Sequence, residues 1–166
     1  MSSHVSPSSA SSRHTCGAIP ASSGPAAALA VLRITGPSSV HSGDTVPVRG
    51  SIHIEAAGAR VITRPSTSRL LVVRDGVVVG ETGNAQPDLD VPLVLAAGAV
   101  RPAQALPATV VMAACAVGTG AASGLPPGRY SIVAVLGYGQ DRLNAGAGDA
   151  GGSFALVSAP WPIAVT

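Results

Sequence analysis

The feature that most constrains the fold is a two-residue alternation of apolar and polar side chains in residues 45–56, TVPVRGSIHIEA. A period of two over this length is typical of a β-strand with one face in the core and the other in solvent. The expected inward positions are Val46, Val48, Ile52 and Ile54, and the expected outward positions are Pro47, Arg49, Ser51, His53 and Glu55. Because Pro47 has no N–H to donate, the strand is expected at a sheet edge or to begin near this residue.

Other short apolar runs also indicate strands, and they are separated by some of the 20 glycines and 14 prolines. No segment shows helical periodicity beyond a turn or two, so about eight strands and an all-β, two-sheet sandwich are predicted. The further predicted strands are ALAVLRIT (28–35), RLLVVRDGVVVGET (69–82), VPLVLAAG (91–98), ATVVMAACAV (108–117), RYSIVAVLGY (129–138), SFALVS (153–158) and WPIAVT (161–166).

Asp75 and Gly76 lie between two β-branched runs and predict a tight hairpin. A two-residue type I′ turn needs positive φ at both central positions, which Asp-Gly tolerates. A second local signal is Tyr130, which follows Leu-Pro-Pro-Gly-Arg at the start of an apolar run. A tyrosine in this position can return its hydroxyl to the preceding loop and fix the corner of a sandwich.

These motifs, together with the strand of residues 43–50, resemble immunoglobulin-like and fibronectin-III-like domains of bacterial secreted and cell-envelope proteins. The resemblance covers residues 28–166 and implies an Ig-like Greek-key sandwich of two antiparallel sheets with about seven to nine strands. All ten basic side chains are arginine, and with the excess of Ala, Gly, Pro and Val this indicates a GC-rich, actinobacterial-looking coding sequence. The motifs are structural, so the resemblance transfers no chemistry.

Residues 1–27 form a Ser, Pro and Ala tract without periodicity and are expected to be a disordered tail or tether. The folded domain is expected to span 28–166. The chain has two cysteines, Cys16 in the tract and Cys115 in an apolar run, and a disulfide between them is predicted. Alternatively, Cys16-Gly17 resembles the processed start of a bacterial lipoprotein, which would make Cys16 a lipid anchor, or both thiols are free.

Four side chains are candidates for a metal site: His41, Asp44, His53 and Glu55. Their spacing matches no recognised zinc pattern, and the polar outer face of a strand has the same composition. We therefore expect neither a bound metal nor a cofactor. The loop around Ala150 resembles the nucleophile loop of trypsin-like proteases, with alanine in place of serine, and acidic residues are too few and scattered to indicate acid–base chemistry. An enzyme is not expected.

Charge excludes further classes of function. The net charge of +2 comes from few residues, and no aromatic side chains alternate with the arginines, so nucleic-acid binding is not expected. Length excludes a membrane span as well, because the apolar run ATVVMAACAV is about half as long as a transmembrane helix needs to be. No transmembrane span is therefore expected. We expect an extracellular or cell-envelope protein whose signal sequence is absent from residues 1–166, with a cytoplasmic location as the alternative.

The sequence thus favours a non-catalytic binding or structural module whose partner is another protein or a cell-envelope component. One alternative is a proteinase inhibitor, because LPPGRYSIVAV resembles a strand of the bacterial intracellular proteinase-inhibitor domain. The other is a carbohydrate-binding domain. Such domains stack sugars on exposed aromatic rings, and the chain has only four aromatic residues: Tyr130, Tyr138, Phe154 and Trp161. These four rings lie next to apolar runs, where packing in the core is the expected use.

Overall fold

The computed structural model describes residues 16–24, 29–55, 63–83, 97–103, 105–115, 123–140 and 154–166, and these contain strands and turns but no helix. The all-β class is therefore confirmed for this part of the chain. The strands are β1 (Ala30–Thr35), β2 (Ser39–Val40), β3 (Thr45–Pro47), β4 (Arg49–Ile54), β5 (Thr63–Arg74), β6 (Val77–Gly83), β7 (Val100–Pro102), β8 (Thr109–Val111), β9 (Gly128–Gln140), β10 (Phe154–Val157) and β11 (Trp161–Val165).

The strands form three sheets. The large sheet has the order β2-β11-β9-β5-β6, and β10 also pairs with β9. The small sheet has the order β1-β4-β7, and β3 pairs with β8 in a two-stranded ribbon. The pairing of β11 with β2 is parallel, and the other described strand pairs are antiparallel.

The single strand predicted for residues 45–56 is wrong in one respect, because the segment is two strands in different sheets. Pro47 ends β3 since it cannot donate a ladder hydrogen bond. Val48 then donates its N–H to the Ala108 carbonyl at 2.9 Å, and β4 begins at Arg49. The predicted inward residues are nevertheless all buried, so the alternation holds across the change of sheet.

The main core lies between the large and the small sheet. Leu32 and Ile52 of the small sheet and Leu70 and Ile132 of the large sheet are at most 1 % exposed. The large sheet also buries apolar side chains on its other face, namely Leu71, Val73, Val78, Val133 and Val135. We call these five residues the outer cluster.

Residues 16–24, which we call the strap, are hydrogen-bonded to both borders of the large sheet. At one end Cys16 donates its N–H to the Val78 carbonyl of β6 at 3.0 Å. At the other end Ser23 and Ala155 of β10 exchange two hydrogen bonds of 3.0 Å. Cys16 packs against the outer cluster. This segment precedes residue 28, where the folded domain is predicted to begin, and it is nevertheless in contact with the large sheet.

Cys16 and Cys115 form a disulfide with a Cα–Cα distance of 5.9 Å. Cys115 donates its N–H to the Val79 carbonyl, one residue along β6 from the partner of Cys16, so the bridge lies at this sheet edge. Because the bridge uses the sulfur atom of Cys16, it excludes a lipid anchor on that atom.

The predicted strand over 108–117 is shorter in the described residues. The run 108–117 contributes only β8, after which Met112 donates its N–H to the Asp44 carbonyl and Ala113 forms an isolated bridge with Gly124. The predicted strand over 91–98 lies mostly outside the described residues, as does the loop around Ala150. In the part of the chain that the structure covers, no helix is long and apolar enough to cross a membrane.

The hairpin turn and the tyrosine corner have the local geometry that their motifs require. Asp75 and Gly76 have φ values of 50° and 75°, and they join β5 to β6 with Arg74 opposite Val77. The Tyr130 hydroxyl donates to the Pro126 carbonyl at 2.7 Å, in the loop just before β9.

Candidate functional site

The outer face of the small sheet carries two neighbouring arginines without ion-pair partners among the described residues. Burial alternates along β1 and β4, so every second side chain points away from the core. Five of these outward side chains are polar, including Thr35, and we call the other four the basic face: Arg33, Arg49, Ser51 and His53.

The register of the strands brings the basic face together. Arg33 lies directly opposite Ser51, and Arg49 and His53 lie two residues to either side of Ser51 on β4. Arg33 is thus a diagonal neighbour of both Arg49 and His53, at a spacing of about 7 to 8 Å. The arginines reach solvent from a three-stranded sheet whose other face is packed in the core.

Neither Arg33 nor Arg49 has an ion-pair partner among the described residues, and both are exposed. Two other arginines have partners: Arg69 lies 3.5 Å from a Glu81 carboxylate oxygen, and the guanidinium of Arg74 lies 5.3 Å from the ring centre of Tyr130. Arg101 and Arg129 are, like Arg33 and Arg49, exposed without an ion-pair partner in the described segments. The basic face therefore presents two guanidinium groups whose donors are directed to solvent.

A hydrogen bond of 2.9 Å joins Ser51 Oγ to His53 Nε2. A serine and a histidine at this distance are two of the three groups of a nucleophilic triad. Catalysis also requires a group that orients the imidazole and donors that stabilise the oxyanion. Over the described residues no carboxylate is hydrogen-bonded to the His53 ring, so this pair has the geometry of a polar contact along one strand.

An open cleft of about 320 Å³ lies next to the basic face. It is formed where the chain passes from β3 to β4 and where it turns between β7 and β8. Arg49 belongs to both features, because it lines the cleft and lies on the outer face of β4. The lining residues are Val48, Arg49, Gly50, Pro102, Ala103, Leu106, Pro107 and Ala108.

The walls of the cleft are fixed by close packing and backbone hydrogen bonds. A Cβ atom on Gly50 would lie 2.5 Å from Leu106 Cδ1 and 3.1 Å from Ala103 Cβ, so only glycine fits there without displacement. Ala103 donates its N–H to the Gly50 carbonyl at 2.9 Å, and the Val48–Ala108 hydrogen bond closes the other side. The cleft is therefore a preformed feature of the fold.

The four metal candidates do not come together. His41 follows β2 of the large sheet and its Nδ1 lies 3.0 Å from Thr166 Oγ1, whereas His53 lies on β4 of the small sheet. Asp44 and Glu55 are exposed, and Glu55 follows directly after β4. No group of three or more His, Cys, Asp or Glu side chains that could hold a metal ion occurs in the described segments.

The described aromatic rings are used in packing and hydrogen bonding. Tyr130 and Tyr138 are buried, and burial raises the pKa of the Tyr138 hydroxyl to about 12. Trp161 is half-buried and donates its indole N–H to the Pro37 carbonyl at 3.1 Å. The side chain of Phe154 lies outside the described part of the structure.

Arg33 and the cleft were not identified from the sequence. The alternation marks Arg49 as outward. That Arg33 lies next to it depends on the register between β1 and β4, and 13 residues lie between these two strands in the sequence. Likewise, the cleft depends on the packing of Leu106 over Gly50. Neither the strand register nor this packing contact produces a recognisable pattern in the local sequence.

Comparisons with family models, with curated proteins and with solved structures gave no match.

Proposed function

We propose that this chain is a non-catalytic, Ig-like binding module of the cell envelope or the extracellular space, and that it binds another protein or an envelope component through the basic face and the adjacent cleft. The observation that carries the proposal is the pair Arg33 and Arg49, exposed without ion-pair partners among the described residues, beside a preformed cleft. Exposed charged residues on a rigid sheet next to a concave surface are typical of recognition sites.

The disulfide supports an oxidising compartment. Cys16 and Cys115 are separated by 99 residues, and their bridge holds the strap to the edge of the large sheet. Such structural disulfides persist outside the cytosol and are rare within it. This supports a location at the cell envelope or beyond it.

The described side chains fit the two alternatives, a carbohydrate-binding domain and a proteinase inhibitor, less well than they fit a binding surface on the small sheet. Sugar-binding surfaces normally stack their ligand on exposed rings, and the described rings are buried or half-buried. For a proteinase inhibitor, the predicted feature was the strand after Pro126, whose tyrosine is directed inward to the Pro126 carbonyl. A binding surface on the small sheet needs neither feature.

The experiment compares three disulfide-intact proteins for salt-sensitive binding to the envelope and secreted fractions of the producing cells. These are the unaltered chain, a charge-reversed basic face (Arg33→Glu with Arg49→Glu), and the control Arg129→Glu, which reverses an exposed charge on the large sheet. We expect the unaltered chain and the control to bind and the basic-face variant to lose binding. Equal behaviour of the three proteins would refute the proposal.

A further inference from the structure

We infer that the basic face binds an acidic segment of a partner protein in extended conformation, with acidic side chains at two alternate positions and an aliphatic side chain at the next alternate position. This inference rests on the proposed function and specifies its ligand. It is carried by the spacing of Arg33 and Arg49 and by the character of the cleft that Arg49 lines.

The spacing of the arginines matches an extended peptide. Arg33 and Arg49 are diagonal neighbours on an antiparallel pair, about 7 to 8 Å apart. In an extended chain, side chains two residues apart lie on the same face, separated by about 6.7 Å. Two carboxylates at positions i and i+2 can therefore reach the two guanidinium groups at once, each through a bidentate pair of hydrogen bonds.

The cleft accounts for the aliphatic side chain. Its walls include Pro102, Leu106 and Pro107, and its volume is about 320 Å³, at the lower end of the range for ligand sites. Because Arg49 lines both the cleft and the basic face, an extended ligand with a carboxylate on Arg49 can place the side chain two residues further on, which lies on the same face, at the cleft. Burial of that side chain adds affinity and fixes the register of the peptide.

Other polyanions fit this surface less well. A phosphate polymer or sulfated polysaccharide would contact both arginines but has no apolar group for the cleft. Single-stranded nucleic acid usually requires aromatic side chains on which bases stack, and no aromatic residue is among those of the basic face or the cleft lining. A protein segment supplies both chemistries from one chain.

The test measures fluorescence anisotropy of labelled probes with the full, disulfide-intact chain. The first probe is a peptide with glutamate at two alternate positions and one leucine two residues after the last glutamate, so that the three side chains share one face. The second has glutamine in place of glutamate, and the third has alanine in place of leucine. Polyphosphate and heparin are competitors. We expect the glutamate–leucine peptide to bind, its affinity to fall as salt is raised, and the glutamine peptide not to bind.

Substitutions in the protein assign the contacts. Arg33→Gln and Arg49→Gln are each expected to weaken binding of the glutamate–leucine peptide by about tenfold, as loss of a charged hydrogen-bonding group does. Arg129→Gln removes an equally exposed charge from the large sheet and is expected to change affinity by less than about twofold, since distant exposed charges are screened. Circular dichroism and thermal melting check that each variant folds as the unaltered chain does.

The cleft is tested by Ala108→Leu, which adds a side chain to its exposed lining without removing the Ala108 carbonyl that accepts from Val48. We expect weaker binding of the leucine peptide and unchanged binding of the alanine peptide. If both peptides respond equally, no aliphatic side chain enters the cleft and the inference is wrong.

The remaining outcomes separate the inference from the proposed function. Binding of polyphosphate or heparin that depends on Arg33 and Arg49, without binding of any peptide, overturns the inference and leaves a binding function for the basic face. Absence of binding by all probes, together with envelope binding that ignores charge reversal of the basic face, overturns both.

Discussion

At the scale of single residues, Tyr130 joins the start of β9 to the loop before it. Its hydroxyl donates to the Pro126 carbonyl at 2.7 Å and accepts from Arg74 Nη1 at 3.2 Å. We expect Tyr130→Phe to lower the free energy of unfolding by about 1 to 2 kcal/mol, because the ring stays buried while both hydrogen bonds are lost. Urea unfolding measures this difference. A midpoint equal to that of the unaltered chain would show that the ring serves only as apolar filler.

Gly76 has a φ of 75°, and a Cβ atom placed on it would meet nothing within 4 Å. Any cost of substitution there comes from the backbone and not from crowding. We expect Gly76→Val to destabilise the fold by about 1 to 3 kcal/mol, since β-branched residues resist positive φ. Gly76→Asn is the control and should cost less, because asparagine tolerates this region. Similar melting temperatures for the two variants would contradict the turn geometry.

Tyr138 makes stability depend on alkaline pH. Burial raises its pKa from 10.0 to about 12, so the native state keeps a proton that the unfolded state loses between these values. This contribution to stability is complete below pH 10 and declines as the pH rises toward 12, by about 2 to 3 kcal/mol in total. Urea unfolding at several alkaline pH values measures the slope. Tyr138→Phe should flatten it, and an unchanged slope would mean that other groups cause the loss.

At the scale of elements, the strap depends on the disulfide more than on its own contacts. Its backbone hydrogen bonds involve Cys16 and Ser23, and Gly17, Ala18 and Ile19 between them are exposed. In the chain-entropy model, closing a loop with a sequence separation of 99 stabilises the fold by about 4 to 5 kcal/mol.

We therefore expect the double substitution Cys16→Ser with Cys115→Ser to lower the thermal midpoint markedly and to increase hydrogen exchange at the amides of Ser23 and Ala155, which donate to each other's carbonyls across the strap contact. Reduction of the unaltered chain should have the same effect, whereas the reductant should leave the double variant unchanged. A reduced chain with the original midpoint and exchange rates would show that the strap is held by its other contacts.

The elements that could be predicted from sequence are those with a local cause. The Asp75–Gly76 turn and the alternation from Val46 to Ile54 depend on neighbouring residues only, and the structure has both. The change of sheet at Val48 depends on a hydrogen bond to Ala108, 60 residues away in sequence, which no local pattern records.

The cover of the second apolar face of the large sheet is likewise not predicted by any local sequence pattern. The residues of this face alternate with core residues along β5 and β9, so the sequence there is apolar without interruption. A continuous run predicts burial on both faces but does not say what covers the second one. In the structure Cys16 and Val157 pack against it. The polar residues around Cys16 carry no sequence pattern that would indicate this contact.

At the scale of the whole molecule, β9 is the centre of the large sheet. It pairs with β5 along one side and with β11 and β10 along the other. Between β10 and β11, Ser158 keeps this border closed, because its Oγ accepts from the Ala134 N–H and its own N–H donates to the Ala134 carbonyl, both at 2.9 Å. The large sheet thus packs against the small sheet through the main core, and the outward arginines of the small sheet are exposed among the described residues.

We propose that the two sheets have different roles: the large sheet stabilises the fold and the small sheet binds the ligand. Amide chemical-shift mapping during titration with the glutamate–leucine peptide tests it most directly. We predict that the perturbed amides cluster in β1, in β4 and in residues 102–108, with the strap and β11 unchanged. Perturbations concentrated on β11, β10 or the strap, or no perturbation at saturating peptide, would contradict the claim.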